Sequence, residues 1–430
     1  MKINNIELNV MMDFTRKLIL RFLTIYFFLY AFPFPLGYLP FGIGEIISKS
    51  TGEFWEWIVQ PFATYIFDHT NKLEFKINGS GDTSYDYFLV LVKLILASLL
   101  VIVWSFLVEL KEKHQKGFNL LIIYLRYYLS INMFVYGFAK IFYLQFPELS
   151  LFRLSQNFGD ASPMGLLWTF MGYSETYSIF TGSMEVLGGM FLLIRRTKIL
   201  GAAICFAIML NVFLLNMTYD VPVKLFSFHL VLISLIIISP DYENLKSFFF
   251  LNKPTEPQKI DKYFKQKGNN KILIGIKIAL ILTALFTIIS EDIDRQKDYG
   301  KRAPNNILYG TYEVEEFIKN NDTLEFSRKE KEVWSQLIID KKSSVIYKVN
   351  REKVFVEHEI DTAQSKLKLK AFRDPTLKYN FTFERQGNVM ILRGELYLNE
   401  YVIKLKKKNR DQFFLENRGF NWINEYPMNR

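Results

Sequence analysis

Tyr87-Phe88-Leu89-Val90-Leu91-Val92-Lys93-Leu94-Ile95-Leu96-Ala97-Ser98-Leu99-Leu100-Val101-Ile102-Val103-Trp104 is a run of apolar residues broken by one charge. A bilayer core is crossed by about 20 predominantly apolar helical residues, so the run predicts a membrane-spanning helix over 86–108. Working outward, six further stretches meet the same test: 18–40, 118–144, 176–194, 199–217, 222–239 and 272–290. The first ends at Phe32-Pro33-Phe34-Pro35, where proline removes a backbone donor and breaks the helix. Seven spans predict a mainly α-helical polytopic membrane protein, with the lipid bilayer as its first partner.

The composition agrees with two environments. Half of the 430 residues are apolar and 17% are aromatic, yet 22% are charged, too many for a chain buried throughout in lipid. The net charge of +10 is no sign of nucleic acid, because Lys and Arg flank the apolar runs, as topology signals do. In the seven-span arrangement 17 basic residues fall on one side and four on the other. The positive-inside rule then puts the N-terminus in the cytoplasm and everything beyond Ser290 outside, in a bacterial cytoplasmic (inner) membrane with a periplasmic C-terminal domain. The single cysteine, Cys205, excludes intrachain disulfides and thiol-pair chemistry and reads as a small buried hydrophobe.

The expected outer loops are more than connectors. Phe54-Trp55-Glu56-Trp57-Ile58 predicts an interfacial helix, and Asn78-Gly79-Ser80-Gly81-Asp82 a flexible link. Met164 to Met171 is apolar but too short to span, and predicts a re-entrant or interfacial segment. The inner loop 240–271 mixes Phe248-Phe249-Phe250 with lysines, suited to an anionic leaflet. Past about residue 300 the period changes to alternation, as in Lys366-Leu367-Lys368-Leu369-Lys370 and Tyr401-Val402-Ile403-Lys404-Leu405-Lys406. Such strands, separated by turns such as Asp374-Pro375, Gln386-Gly387-Asn388 and Leu398-Asn399-Glu400, predict an all-β small barrel or sandwich. The division is 1–117, two spans and an outer loop; 118–240, a four-helix core; 241–298, a cytoplasmic loop and the seventh span; and 299–430, the β domain.

Ionisable groups inside membrane helices are expensive and are functional candidates. Counted at 1.5 Å per residue from the inner helix ends, Arg126, Glu185, His229 and Asn211 lie roughly 12 to 18 Å deep, one midplane layer. The count predicts an Arg126–Glu185 ion pair beside His229. An outer mouth is expected from Tyr136, Lys140, Asp160, Asp220 and Lys224, with Tyr136/Lys140 and Asp220/Lys224 each four apart on a helix face. The bland alternatives are an ion pair that only fixes helix register, a histidine that only packs, and lysines that snorkel to the interface. His69, His114 and His358 fall in different segments, so no metal site is expected. Phosphate loops and hydrolase motifs are absent from the sequence.

Tyr136-Gly137-Phe138-Ala139-Lys140, Gly182-Ser183-Met184-Glu185-Val186-Leu187-Gly188-Gly189, the turn Arg195-Arg196 and Leu200-Gly201-Ala202 resemble the four-helix core of DoxX-like membrane proteins over about 118–240. That resemblance implies a redox- or quinone-associated membrane subunit, with quinone as the expected ligand. The opening Leu308-Tyr309-Gly310-Thr311-Tyr312 is weakly similar to the entry of lipocalin-like barrels. The alternative expectation is a non-enzymatic cell-envelope binding or assembly protein whose outer β domain holds a lipid or a partner protein. The aromatic ending, Phe420 to Tyr426, is expected to dock on the barrel or on the helices.

Overall fold

A computed structural model describes residues 5–73, 75, 79–107, 113–255, 267–374, 376–396 and 399–429. Of the residues named above, Asn78, Pro375 and Leu398 lie outside that set, as do Lys2, Lys76, Lys111, Lys259, Lys262 and Lys265 of the basic residues counted for orientation. Two compact units emerge: Met1–Gln145 with Ser174–Asp294, and Phe146–Tyr173 with Arg295–Arg430.

The first unit is helical. It contains α1 (Asn5–Ala31), α2 (Ile43–Phe67), α3 (Ser84–Leu107) and α4 (Lys113–Ile141). The second unit then contributes α5 (Leu151–Ser155) and α6 (Pro163–Tyr173). The first resumes with α7 (Glu175–Leu193), α8 (Lys198–Thr218), α9 (Lys224–Ile238), α10 (Tyr242–Phe249) and α11 (Lys267–Asp298), the last reaching the unit boundary. Among the described residues six helices are long and apolar enough to cross a membrane, within 14–38, 84–106, 115–141, 198–218, 224–249 and 274–298. The expected span 176–194 is present as α7, but its glycines and Glu185 keep it out of that set. The 54–58 segment is longer than expected: α2 runs for 25 residues through Pro61 and buries Gly52, Trp55, Val59 and Ala63.

Local chemistry sets these boundaries. α1 stops at Ala31, just before Pro33 and Pro35. Thr83 and Asp86 close a reciprocal capping box at the start of α3: Asp86 Oδ2 accepts from Thr83 N at 2.9 Å, and Thr83 Oγ1 accepts from Asp86 N at 3.3 Å. Ser174 caps α7 by accepting from Tyr177 N at 3.2 Å.

α4 and α7 pack antiparallel with their backbones close. A Cβ on Gly182 would stand 2.5 Å from Gly137 O, and Ser130 Oγ donates to Gly189 O at 2.8 Å. Gly188 makes room for buried Cys205 of α8, whose Sγ would meet a Cβ there at 2.9 Å, so that thiol is a packing group.

The second unit is built on a barrel. Its strands are β1 (Gly310–Lys319), β2 (Asp322–Thr323), β3 (Trp334–Ile339), β4 (Ser343–Lys348), β5 (Lys353–Asp361), β6 (Lys366–Ala371), β7 (Lys378–Gln386), β8 (Val389–Leu396) and β9 (Asn399–Lys408). All pairings are antiparallel, β2 adds only to the end of β1, and β1–β9 pairing closes an eight-stranded up-and-down barrel. Closure removes the free edges that a sandwich would leave. In β6 the lysines are exposed while Leu367, Leu369 and Ala371 join a core with Tyr312, Phe317, Trp334, Phe381 and Leu405.

Residues 146–173, which include the short apolar run Met164 to Met171, belong to the barrel's unit. Leu151 packs on Ile338 and Val345, and its N–H donates to Asp340 Oδ2 at 3.1 Å. Phe152 meets the rings of Phe355 and Tyr347. Long-range packing of this kind leaves no trace in a hydropathy pattern.

Candidate functional site

The strongest polar contact inside the helical unit joins Lys140 and Glu185. Lys140 Nζ donates to both carboxylate oxygens, at 2.9 and 2.8 Å, and the two side chains are only 6% and 2% exposed. The expected Arg126–Glu185 pair does not form. The Gly137/Gly182 and Ser130/Gly189 contacts set an antiparallel register that puts Glu185 level with Phe134, eight residues or about 12 Å along α4 from Arg126. Helical side chains lean toward their own N-terminus, so Lys140 and Glu185 lean toward each other while Arg126 leans away. Arg126 is buried, with Nη2 donating to Tyr127 Oη at 3.0 Å and its Nε unpartnered among the described residues.

His229 belongs to a second cluster. Its Nδ1 lies 2.7 Å from Leu225 O and its Nε2 2.7 Å from Tyr26 Oη. A carbonyl only accepts, so Nδ1 carries the proton; in the neutral ring Nε2 accepts and the Tyr26 hydroxyl donates. Tyr30 stacks on the imidazole with ring centroids 3.9 Å apart. Next to it is a residue the sequence reading did not weigh, Lys93 of α3. Its side chain is buried, and Nζ sits 5.0 Å from the Trp55 ring centre and 5.8 Å from that of Tyr30. Among the described residues no carboxylate pairs with it. The indole N–H of Trp55 is likewise buried without a partner there. A charge in mid-span was the available signal, the same rule that singled out Arg126.

An aromatic pair lies between the two clusters: Tyr136, 5.7 Å from the Lys140 ammonium, meets the ring of Phe226 on α9, three residues before His229. Taken together, the clusters form a polar-aromatic seam on α1, α3, α4, α7 and α9 that includes the expected midplane residues Glu185 and His229 and the expected mouth residues Tyr136 and Lys140.

Other expected members fall elsewhere. Asn211 is on the exposed face of α8; the buried amide is Asn216, donating to Ser227 Oγ at 3.0 Å. Asp220 is exposed and pairs with Lys224 at 2.9 Å. The acid that engages the start of α9 is Asp82, whose oxygens accept from Lys224 N at 2.7 Å and Leu225 N at 2.9 Å, so it caps the helix from a distant loop. Asp160 lies in the second unit and pairs with Lys353 at 3.3 Å.

The barrel has a cavity of about 190 Å³, lined by Phe317, Trp334, Tyr379, Phe381 and Tyr401 with Glu332 and Lys348 among its polar groups. Lys319 donates to Glu332 at 2.7 Å, which holds that carboxyl below the usual range. Among the described residues no group of three His, Cys, Asp or Glu side chains could hold a metal.

No protein-family profile matches the chain and no solved structure is similar to it. The chain is similar to the uncharacterised protein YwoB of Bacillus subtilis strain 168, with 36% identity over 126 residues. Those residues make up 29% of this chain but 79% of YwoB. With most of that protein's length covered at this identity, the chain belongs to the same family as YwoB.

Proposed function

We propose that this is a multi-pass protein of the bacterial cytoplasmic membrane, of the DoxX-like class, whose helical unit holds a quinone-type head group in the polar-aromatic seam. Chain parity supports the membrane arrangement. Residues 146–173 and 295–430 share one unit, so an even number of crossings must separate them. Of the six apolar helices α8, α9 and α11 lie between them, an odd number. α7, 19 residues and about 28 Å long, supplies the fourth crossing. The excess of basic residues at the other helix ends supports an outer position for the barrel.

The observation that carries the ligand reading is Lys93, a buried ammonium among aromatic rings with no carboxylate partner among the described residues. A quinone head is a flat apolar ring bearing carbonyl acceptors. Lys93 and Tyr30 offer donors and ring faces of the matching kind, and the Tyr26–His229 pair sits alongside. When bound, a quinone supplies lipid-soluble two-electron chemistry; the chain's own residues bind and orient it and hold protons at Tyr26 Oη and His229 Nδ1. Glu185 and Lys140 close the other end of the seam.

The test is purification in mild detergent followed by extraction and mass spectrometry of bound quinones, for the native chain and for Lys93→Met and Glu185→Gln. Quinone retained by the native protein and lost from Lys93→Met supports the reading. Its absence from the native protein, or equal retention in both variants, overturns it.

A second reading rests on the barrel cavity. At about 190 Å³ it is smaller than the roughly 300 Å³ at which small-molecule pockets begin, which suits one apolar side chain of an envelope partner protein better than a lipid chain.

A further inference from the structure

The last described stretch, 409–429, belongs to neither site, and its aromatic end, Phe420 to Tyr426, does not dock as its sequence suggests. Phe420 is 77% exposed, Trp422 90%, Ile423 80% and Tyr426 84%. Trp and Tyr with so little cover, alternating with Asn and Arg, are the side chains that settle at membrane–water boundaries.

Strand register and chain length say where this stretch begins. Lys408, the last residue of β9, pairs with Thr311 near the start of β1, so the tail leaves the barrel at the end where the linker 299–309 enters. That linker follows directly on α11. Arg410 pairs at 3.3 Å with Glu148, which is seven residues past the end of α4 and therefore within about 25 Å of it. α4 and α11 are both among the helices apolar enough to cross a membrane. The tail thus starts at the end of the barrel where the chain connections from α4 and α11 arrive, while the 320–333 loop lies at the opposite end.

We propose that residues 413–428 are an interfacial anchor that lies on the outer leaflet, with Phe414, Phe420, Trp422, Ile423 and Tyr426 entering the boundary between head groups and acyl chains. The inference rests on the membrane reading above. Arg410 and Arg418 are outnumbered by Asp411, Glu416 and Glu425, so apolar burial holds the segment and anionic lipid adds nothing to it.

The experiment uses the full chain with Cys205→Ala, the native protein's single cysteine, in phosphatidylcholine nanodiscs. An environment-sensitive fluorophore is attached in turn through Asn421→Cys in the tail, Lys329→Cys at the far end of the barrel and Ile102→Cys on the exposed face of α3. Quenching is read from lipids bearing a nitroxide near the head group or near the chain end. The expected result is tail quenching at least about twofold stronger than at position 329, with the head-group nitroxide more effective, matching an insertion of roughly 5–10 Å. Position 102 should be quenched too. Tail quenching no greater than at 329, with 102 quenched, overturns the anchor alone; an unquenched 102 overturns the membrane reading itself. Phe420→Ser, Trp422→Ser and Ile423→Ser together should reduce tail quenching to the value at 329, and unchanged quenching would refute the role given to these side chains.

Discussion

Glu185→Gln removes the charge from a carboxylate that accepts from Lys140 Nζ through both oxygens, in a place where both side chains are almost without solvent. What remains is a buried ammonium facing a neutral amide in place of the carboxylate, with the Tyr136 ring 5.7 Å from Nζ. Breaking a buried pair from one side costs about 3–5 kcal/mol, and the Tyr136 contact, present before and after, does not offset it. The variant should therefore lose about 3–5 kcal/mol. Lys140→Met should lose less, because the stranded carboxyl can take up a proton. Replacing both, Lys140→Met with Glu185→Leu, removes two desolvation costs along with the attraction, and should bring stability back to within about 1 kcal/mol of the native protein. Thermal unfolding of the four proteins in one detergent, analysed as a double-mutant cycle, measures the coupling. Single variants that each lose under about 1 kcal/mol, with a double variant that loses their sum, would refute the claim that the two side chains are coupled as a buried ion pair.

The other expectations follow from the same geometry. Lys93→Met takes an unpaired charge out of a buried site and should raise the unfolding temperature in quinone-free detergent; a lower temperature would refute the reading of Lys93 as a charge without a carboxylate partner. Gly182→Ala pushes a methyl against the Gly137 carbonyl and should cost about 1–3 kcal/mol by the same thermal assay, since backbone must move; a neutral result would show that the α4–α7 seam is loose. His358 is held neutral by burial, its pKa lowered from about 6.5, with Ser344 Oγ 2.9 Å from Nδ1. Below pH 6.5 the unfolded chain takes up the proton first, so this contribution is complete above that pH and declines until the folded pKa is passed. Amide exchange of β4 and β5 should show that decline, and His358→Gln should abolish it. Leu151→Ala empties a fully buried contact on the barrel wall and should cost about 2–5 kcal/mol, seen as faster exchange in β3 and β4; unchanged exchange there would sink the idea that residues 146–173 are part of this unit.

The sequence made the apolar helices legible because each is a contiguous run, and the strands because side-chain alternation is local. Where partners came from different elements it was less informative. Depth counting put Arg126 and Glu185 in one layer, since it takes each residue as a point on its helix axis; the lean of Lys140 and Glu185 toward each other decides the pairing. Asn211 and Asn216 are five apart on α8, and only packing distinguishes the exposed amide from the buried one. Lys93 was hidden by the strength of the run around it. Asp82 reaches α9 from a loop more than a hundred residues earlier, beyond any local pattern.

The unit formed by residues 146–173 and 295–430 also constrains how the protein is made. The ribosome delivers Leu151 and Phe152 some 180 residues before the strands that cover them, and α7, α8, α9 and α11 are all made in the interval. Through that time the early segment has its apolar side uncovered, and the barrel wall at Ile338 and Val345 stays incomplete until the two ends meet. A chain cut before β3 would therefore leave a segment without its partner, which makes the chaperones and proteases that meet unfinished chains a determinant of its yield.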